Sequence, residues 1–440
     1  MTETTGASPG FRRTVLLMTA SSFLVPLTGV LTAPILAQGL GVAGRGAAAA
    51  ALAPSALVVA VATLGLPEAL TYYLAKHPRI TRPAVGWSAV IASVLGAACF
   101  VLVLVALPFL STGDPELGDL ILLATALVIP ALVVAIFRGA ASGRQMWNAV
   151  ATERVVNAAL RIVVLGALFV LDQLTVFNAV LVTSLAPIIA GVVYWRLWTV
   201  PPAGDADQPF AGNVGRALMS FGSRMWIGAV ASMVLARVGQ IIMAPLSSLA
   251  ELGLYIVATT ISDVPLIVAL AVRDALYGVN SRTNDPQQIT TTSRISVLIG
   301  GAGCLAIGVT LPAWMGPVFG DGFEAAIIPT WMLMVSALLC IPGLMASAGL
   351  GAWGRPGLRS LGLTLTLAIY IPVFILLVPL AGAIGAAWTS IVANVVLTTF
   401  NVVAASRVMK VPARDFLVLR RSDFVLASSE LRRLTRPRRR

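Results

Sequence analysis

Residues 14–66 read TVLLMTASSFLVPLTGVLTAPILAQGLGVAGRGAAAAALAPSALVVAVATLGL, and Arg45 is the only charged residue among them. A helix crossing about 30 Å of hydrocarbon at 1.5 Å per residue needs about 20 mostly apolar residues. The stretch therefore holds two spanning helices, expected at 14–36 and 47–66. Between them, Gly39-Leu-Gly-Val-Ala-Gly44 supplies the tight turn. The same six residues fit the G-x-G-x-x-G of dinucleotide loops, with Glu68 at roughly the distance of the acidic partner. That reading requires a preceding strand, and here a long apolar helix with Pro26 and Pro34 stands in its place.

The remainder of the chain repeats the pattern. Over 440 residues 58% are hydrophobic and 11% charged, with a mean hydropathy of +0.92. Soluble domains carry roughly 25% charged residues, so the bilayer is the solvent that suits this composition. The apolar runs predict twelve spans: 14–36, 47–66, 85–110, 119–137, 155–171, 176–198, 218–243, 253–277, 294–314, 325–348, 360–380 and 385–406. The expected fold is an all-α polytopic membrane protein of about twelve transmembrane helices in two six-helix bundles. Residues 14–198 and 218–406 form the bundles; 1–13 precede them, 199–217 link them, and 407–440 make a basic tail. The first span exceeds the 7–15 apolar residues of a signal peptide's core and is expected to be retained. Cys99, Cys304 and Cys340 lie apart in apolar runs and His77 is the single histidine, so packing cysteines and no metal centre or other cofactor are expected.

Basic residues alternate between loops. Arg12 and Arg13, Lys76, Arg79 and Arg82, Arg138, Arg144 and Arg154, Arg196 and Arg216, Arg273, Arg282 and Arg294, and Arg355 and Arg359 mark one side. The other side holds Arg45 with Asp114, Glu116, Asp172, Glu251, Asp321 and Glu324. Lys and Arg favour cytoplasmic loops, which predicts both termini inside, in the cell membrane. The tail from Arg407 adds eleven basic and three acidic residues of the chain's +12 charge. Its Phe416, Leu417, Leu419, Phe424, Leu426, Leu431 and Leu434 suit an interfacial helix, each basic residue being worth about 1 kcal/mol at an anionic leaflet. Anionic lipids are the expected partner there, and nucleic acid is not.

The halves echo each other. Pro34–Gly46 and Gln240–Gly253 occupy equivalent places, as do Gly143-Arg144 and Gly354-Arg355. Parallel repeats are a transporter signature, with cargo bound between them. The informative charges inside spans are Arg161, Arg224, Arg237 and Asp263, such a residue costing about 2.5–3.5 kcal/mol at mid-bilayer. Arg224 and Arg237 are about 20 Å apart along a helix and about 140° around it, so they do not grip one phosphate together. Asp263 has two roles open to it: an ion-pair partner for an arginine, or a coupling carboxylate. Arg161 is equally open to a snorkelling role at a helix end. Three cations against one anion leave a positive surplus that an anionic cargo would neutralise, guanidinium holding phosphate as a bidentate fork. Arg161 and Arg224 are expected toward the cytoplasmic ends of their spans, Arg237 toward the outer end, and Arg45 at the outer exit. The first span carries no acid, which argues against a proton-driven cation exporter.

Pro34-Ile-Leu-Ala-Gln-Gly-Leu-Gly-Val-Ala-Gly-Arg-Gly46 and Gly65-Leu-Pro-Glu-Ala-Leu70 resemble the opening of Wzx-type oligosaccharide flippases. These belong to the multidrug/oligosaccharidyl-lipid/polysaccharide (MOP) exporter superfamily. Leu252–Thr260, Phe319-Gly-Asp-Gly-Phe323, Gly351-Ala-Trp-Gly-Arg355 and Gly382–Ala387 are similar too. The resemblance runs from about residue 14 to 406. It implies a MATE-like V of two pseudo-symmetric bundles and alternating access. It also implies cargo of polyprenyl-pyrophosphate-linked glycan, with a polysaccharide polymerase or glycosyltransferases as neighbours and no enzymatic activity. Arg45, Arg161, Arg224 and Arg237 are then the expected cargo-binding residues, with Asp263 as charge partner or coupling group. Many relatives carry an acidic residue where Arg237 stands, so the coupling ion does not carry over. A MATE-like ion-coupled exporter using Asp263 is the alternative, and a non-transporting scaffold docking partners through its basic tail is a third.

Overall fold

The computed structural model describes residues 9–199, 212–418 and 420, and all regular secondary structure among them is helical. The helices are α1 (Pro9–Ala62), α2 (Leu66–Lys76), α3 (Thr81–Leu110), α4 (Pro115–Ala126), α5 (Val128–Gly143), α6 (Trp147–Val170), α7 (Val176–Ala190) and α8 (Arg196–Thr199). They continue with α9 (Val214–Leu246), α10 (Leu249–Ser262), α11 (Val264–Thr283), α12 (Pro286–Phe319), α13 (Ile327–Ala352), α14 (Pro356–Met409) and α15 (Arg414–Leu417).

By length and apolarity alone, seven stretches could cross a membrane, or eight if α10 and α11, bent by 49°, form one span. All twelve expected spans map onto helical segments, because α1 and α14 each contain two helices joined at a glycine. Gly41 has φ 67° and Gly382 has φ 52°, values that glycine adopts without the Cβ penalty. In α14 the arms are antiparallel: a Cβ on Gly385 would meet the carbonyl of Leu377, and one on Gly362 would meet Phe400 at 2.7 Å. Both pairs are symmetric about residue 381. The first arm of α1 packs Leu36 against Leu165 of α6, whereas Arg45 of the second arm lies near Arg161, one turn back along α6. The chain has reversed direction along α6.

The helix starts have local causes. Asp114, Thr175, Ser248 and Asp285 each cap a helix by accepting a hydrogen bond from a backbone N–H two or three residues on, at 2.9–3.2 Å. Such caps are worth about 1 kcal/mol each. They lengthen several helices beyond the apolar run, α12 beginning at Pro286 where 294 was expected. Large apolar side chains such as Val105, Val170 and Leu380 remain 75–78% exposed, which suits contact with lipid tails.

Contacts divide the chain into two compact units, Met1–Pro245 and Leu246–Arg440. The division was expected within 199–217, of which residues 200–211 lie outside the described residues; the first unit includes α9. In that unit α2 lies on α5 through two glycines: a Cβ on Gly139 would sit 2.6 Å from the Pro67 carbonyl, and one on Gly143 would sit 2.7 Å from that of Leu70. Arg144 donates to the Leu197 carbonyl at 2.6 Å, tying the end of α5 to α8.

In the second unit α13 is central: 72% of its apolar window is inside the protein, against 17% for α12. A polar ladder joins it to the second arm of α14. Asn394 donates to Ser336 Oγ at 2.8 Å, Thr398 to the Leu339 carbonyl at 2.9 Å and Asn401 to the Gly343 carbonyl at 3.3 Å. The steps of three and four residues on both helices place the bonds on facing stripes of parallel neighbours. Glu251 accepts from the Ala383 N–H at 2.7 Å, satisfying the backbone just past the Gly382 kink. The start of the basic tail departs from the expected interfacial helix. Phe416 is fully buried in the core with Met345, Leu350 and Met409. Ser293 donates to the Phe416 carbonyl at 2.9 Å and Arg294 to that of Asp415 at 2.6 Å. Leu417 is exposed, and Leu419, Phe424, Leu426, Leu431 and Leu434 of that expectation lie outside the described residues.

Candidate functional site

Five charged groups of the first unit, Arg45, Arg138, Glu153, Arg154 and Arg161, lie on α6 and the helices beside it. Arg154, Asn157 and Arg161 are spaced i, i+3 and i+7, one face of a helix. Arg154 donates to Ser21 Oγ on the first arm of α1 at 3.1 Å. Beside it, Glu153 is fully buried and receives a bidentate fork from Arg138, Nε to Oε2 at 3.1 Å and Nη2 to Oε1 at 3.0 Å. Tyr194 donates to the same carboxylate at 3.4 Å. About two turns further along α6, Arg161 comes within electrostatic reach of Arg45 on the second arm of α1. The Nε of Arg45, the Nε of Arg161 and the Oδ1 of Asn157 are all buried without a hydrogen-bond partner.

A buried donor without an acceptor costs about 1–3 kcal/mol, and two unit charges 4 Å apart repel by about 4 kcal/mol at an effective dielectric of ~20. Each of the two Nε donors bears the first cost, and Arg45 also feels the like charge of Arg161. Arg45, Arg138, Arg154 and Arg161 carry four positive charges against the single negative charge of Glu153. A divalent oxyanion between Arg45 and Arg161 would accept from the orphaned donors and cancel the repulsion, which is what two converging guanidinium groups can do chemically.

The expected site residues are thus distributed differently along the protein. Arg161 was expected toward the cytoplasmic end of its span with Arg45 at the opposite exit; the structure places Arg45 within electrostatic range of Arg161. The reason is the start of α6 at Trp147, eight residues before the expected 155, which places Arg161 about 21 Å into the helix. Arg224 is exposed on α9 and its guanidinium bonds Ser220 Oγ at 3.4 Å. Arg237 is half-buried and donates to Gln240 Oε1 at 2.8 Å. Because α9 is one unbroken helix of 33 residues, these two arginines keep the separation read from their spacing. Asp263 belongs to the second unit, exposed at the bend between α10 and α11, with Tyr255 and Cys340 in electrostatic range.

Arg138, Glu153, Arg154, Asn157 and Tyr194 were missed as site residues. The basic ones were read only as loop charges setting topology. The seven-residue step from Arg154 to Arg161, with a lone Glu153 beside it, was the available signal. Cys99, Cys304 and Cys340 are unpaired thiols at half-buried positions.

Residues 11–284 match a family described as Polysaccharide biosynthesis protein. Uncharacterized proteins of Mycobacterium tuberculosis (Rv3630) and Mycobacterium bovis (Mb3654) are each 27% identical over 222 residues, 49% of this chain and 50% of theirs. The chain spans about half the length of these curated relatives. Among solved structures it is similar to the lipid II flippase MurJ in an inward closed conformation, with a TM-score of 0.72 and 10% identity over 96% of this chain and 94% of that one. It is also similar to an inward-facing MATE family multidrug resistance transporter of the MOP superfamily, with a TM-score of 0.67 and 17% identity over 86% and 96% of the two chains. At these identities the likeness is one of fold.

Proposed function

The chain belongs to the polysaccharide biosynthesis protein family, and from that premise we propose that it is a flippase for polyprenyl-pyrophosphate-linked oligosaccharide. It moves this cargo from the cytoplasmic to the outer leaflet for cell-surface polysaccharide synthesis. The observation that carries the reading is the Arg45–Arg161 pair, two half-buried like charges whose buried Nε donors have no acceptor. A diphosphate is dianionic or more at neutral pH, with oxygens enough to meet both forks. Crossing bare hydrocarbon, such a headgroup would carry the full cost of an unsolvated charge; the arginines replace its lost water. Arg154 and Asn157, on the same face of α6, extend the polar lining by about 10 Å. Arg224, exposed on α9, is an accessory contact, and Arg237 a further one.

In this reading the termini are cytoplasmic, the tail beyond α15 meets anionic lipid, and the polymerase or glycosyltransferases that use the glycan act beside it. The test is reconstitution in vesicles with a fluorescent polyprenyl-pyrophosphate glycan, scored by how fast an impermeant reagent quenches the flipped pool. Wild-type protein should accelerate exposure, and Arg45→Ala and Arg161→Ala should each remove most of the acceleration. Undiminished flipping in the double variant would remove the proposed site. The rival, an ion-coupled exporter of small molecules, is favoured by the exposed carboxylate of Asp263. It predicts efflux driven by a pH gradient and abolished by Asp263→Asn.

A further inference from the structure

The second unit carries a cationic cluster that the proposed cargo site does not use. It lies where α11, the end of α13 and the start of α14 meet, around the turn Gly351-Ala-Trp-Gly-Arg355. Gly351 lets α11 approach: a Cβ there would meet the Tyr277 ring at 2.9 Å. Gly354 makes the turn with φ 72°, and Arg355 and Arg359 follow about one helical turn apart, both exposed. Arg359 lies within electrostatic range of Arg273, Asp274 and Tyr277 on α11.

The charges there do not balance. Arg273 points its Nε and Nη2 donors at one oxygen of Asp274, at 3.0 and 2.7 Å. Among the described residues the side chains of Arg355 and Arg359 make no hydrogen bond or ion pair. The counterpart of Arg355 in the first half, Arg144, is instead tied to the Leu197 carbonyl. Arg355 and Arg359 stand at the start of α14, the positive end of the helix dipole, and its first turn holds no acidic residue. Three guanidinium groups thus share one carboxylate. Trp353, two residues before Arg355, adds an indole N–H that is buried without an acceptor, while its ring packs on the core of the unit.

An anion accepting from these donors would answer the surplus charge and the orphaned indole together. There is room for it: a Cβ on Gly354 or on Gly357 would meet nothing within 4 Å. The neighbouring side chains say which anion. Leu361 and Leu365 of α14 and Val268 and Leu270 of α11 are exposed and apolar, and they lie in the expected spans near whose ends the arginines stand. A ligand with a phosphate head and acyl chains matches both the charged rim and the apolar flank, and basic pockets between transmembrane helices take such headgroups. We propose that Arg273, Arg355, Arg359 and Trp353 form a binding site for the headgroup of an anionic phospholipid on the second unit. The site is separate from the basic tail and from Arg45 and Arg161, and the proposal holds whichever cargo the protein carries.

The test is native mass spectrometry of the full chain in neutral detergent, with phosphatidylglycerol and phosphatidylcholine supplied in equal amounts. Wild type should retain one phosphatidylglycerol per chain, preferred over phosphatidylcholine by about tenfold or more. Arg355→Gln/Arg359→Gln should lose most of that preference, two basic contacts being worth about 25-fold. Trp353→Phe removes the indole donor alone and should weaken retention by about fivefold; it decides the matter if the arginine variant fails to fold. Glutamine at Arg432, Arg433, Arg436, Arg438, Arg439 and Arg440 of the tail should leave the one lipid in place, and inorganic phosphate should not displace it. A preference unchanged in Arg355→Gln/Arg359→Gln, or in Trp353→Phe where the first variant does not fold, would overturn the proposal. So would loss of the lipid with the tail charges, or its displacement by phosphate, which would make the ligand a soluble anion.

Discussion

Arg161 should be a residue whose removal makes the protein more stable and less active. In Arg161→Met the side-chain stem is kept, the orphaned Nε is gone and the repulsion with Arg45 disappears. The donor alone accounts for about 1–3 kcal/mol, and the lost repulsion adds to it, offset by whatever water reaches the pair. A net stabilisation of about 1–3 kcal/mol follows, which for a cooperative unit of this size is a rise of roughly 2–10 °C in Tm. Thermal unfolding in nanodiscs, followed by tryptophan fluorescence, reads this directly. A second arm adds inorganic pyrophosphate: at a hundred times its Kd a ligand binding only the native state stabilises by about 2.7 kcal/mol, so wild type should gain and Arg161→Met should not. The reasoning fails if Arg161→Met lowers Tm, or if pyrophosphate raises both proteins equally.

The ion pair of Glu153 should behave in the opposite sense: Arg138→Met leaves the fully buried Glu153 carboxylate uncompensated and should cost about 3–5 kcal/mol, much of which an Arg138→Met/Glu153→Met double variant recovers, checked by the same melts. Gly382→Ala should destabilise the second unit, since the left-handed kink and the Glu251 carboxylate both reject a Cβ; faster amide exchange at the start of the second arm of α14 would report it. Phe416→Ala should cost about 3–5 kcal/mol, as for large buried aromatics elsewhere, and the loss should appear on limited proteolysis as early cleavage near Ser293.

The spans were legible because apolar length is a local property, and so were the reversals at Gly41 and Gly382, where glycine follows a long run. The start of α6 was not. Trp147–Arg154 is polar enough to read as loop, and only the fully buried Glu153 with Arg138 and Tyr194 around it explains why those turns are helical inside the protein. The meeting of Arg45 with Arg161 joins positions 116 apart in the chain, and no spacing rule foretells it. The close approach of Gly65 and Gly222 was hidden for the same reason: each looks like an ordinary glycine until their backbones touch. Phe416 looked interfacial because its neighbours Leu417 and Val418 are apolar, and those two are indeed exposed.

The proposed function rests on two half-buried arginines whose Nε donors lack an acceptor. Its most direct measurement is the affinity, in nanodiscs, for a short-chain polyprenyl diphosphate compared with the corresponding polyprenyl alcohol. Wild type should prefer the diphosphate by at least about tenfold, roughly 1.4 kcal/mol, and the preference should vanish in Arg45→Ala/Arg161→Ala while surviving in Arg224→Ala. Equal affinity of the wild type for alcohol and diphosphate, or a preference that outlives the loss of both arginines, would contradict it.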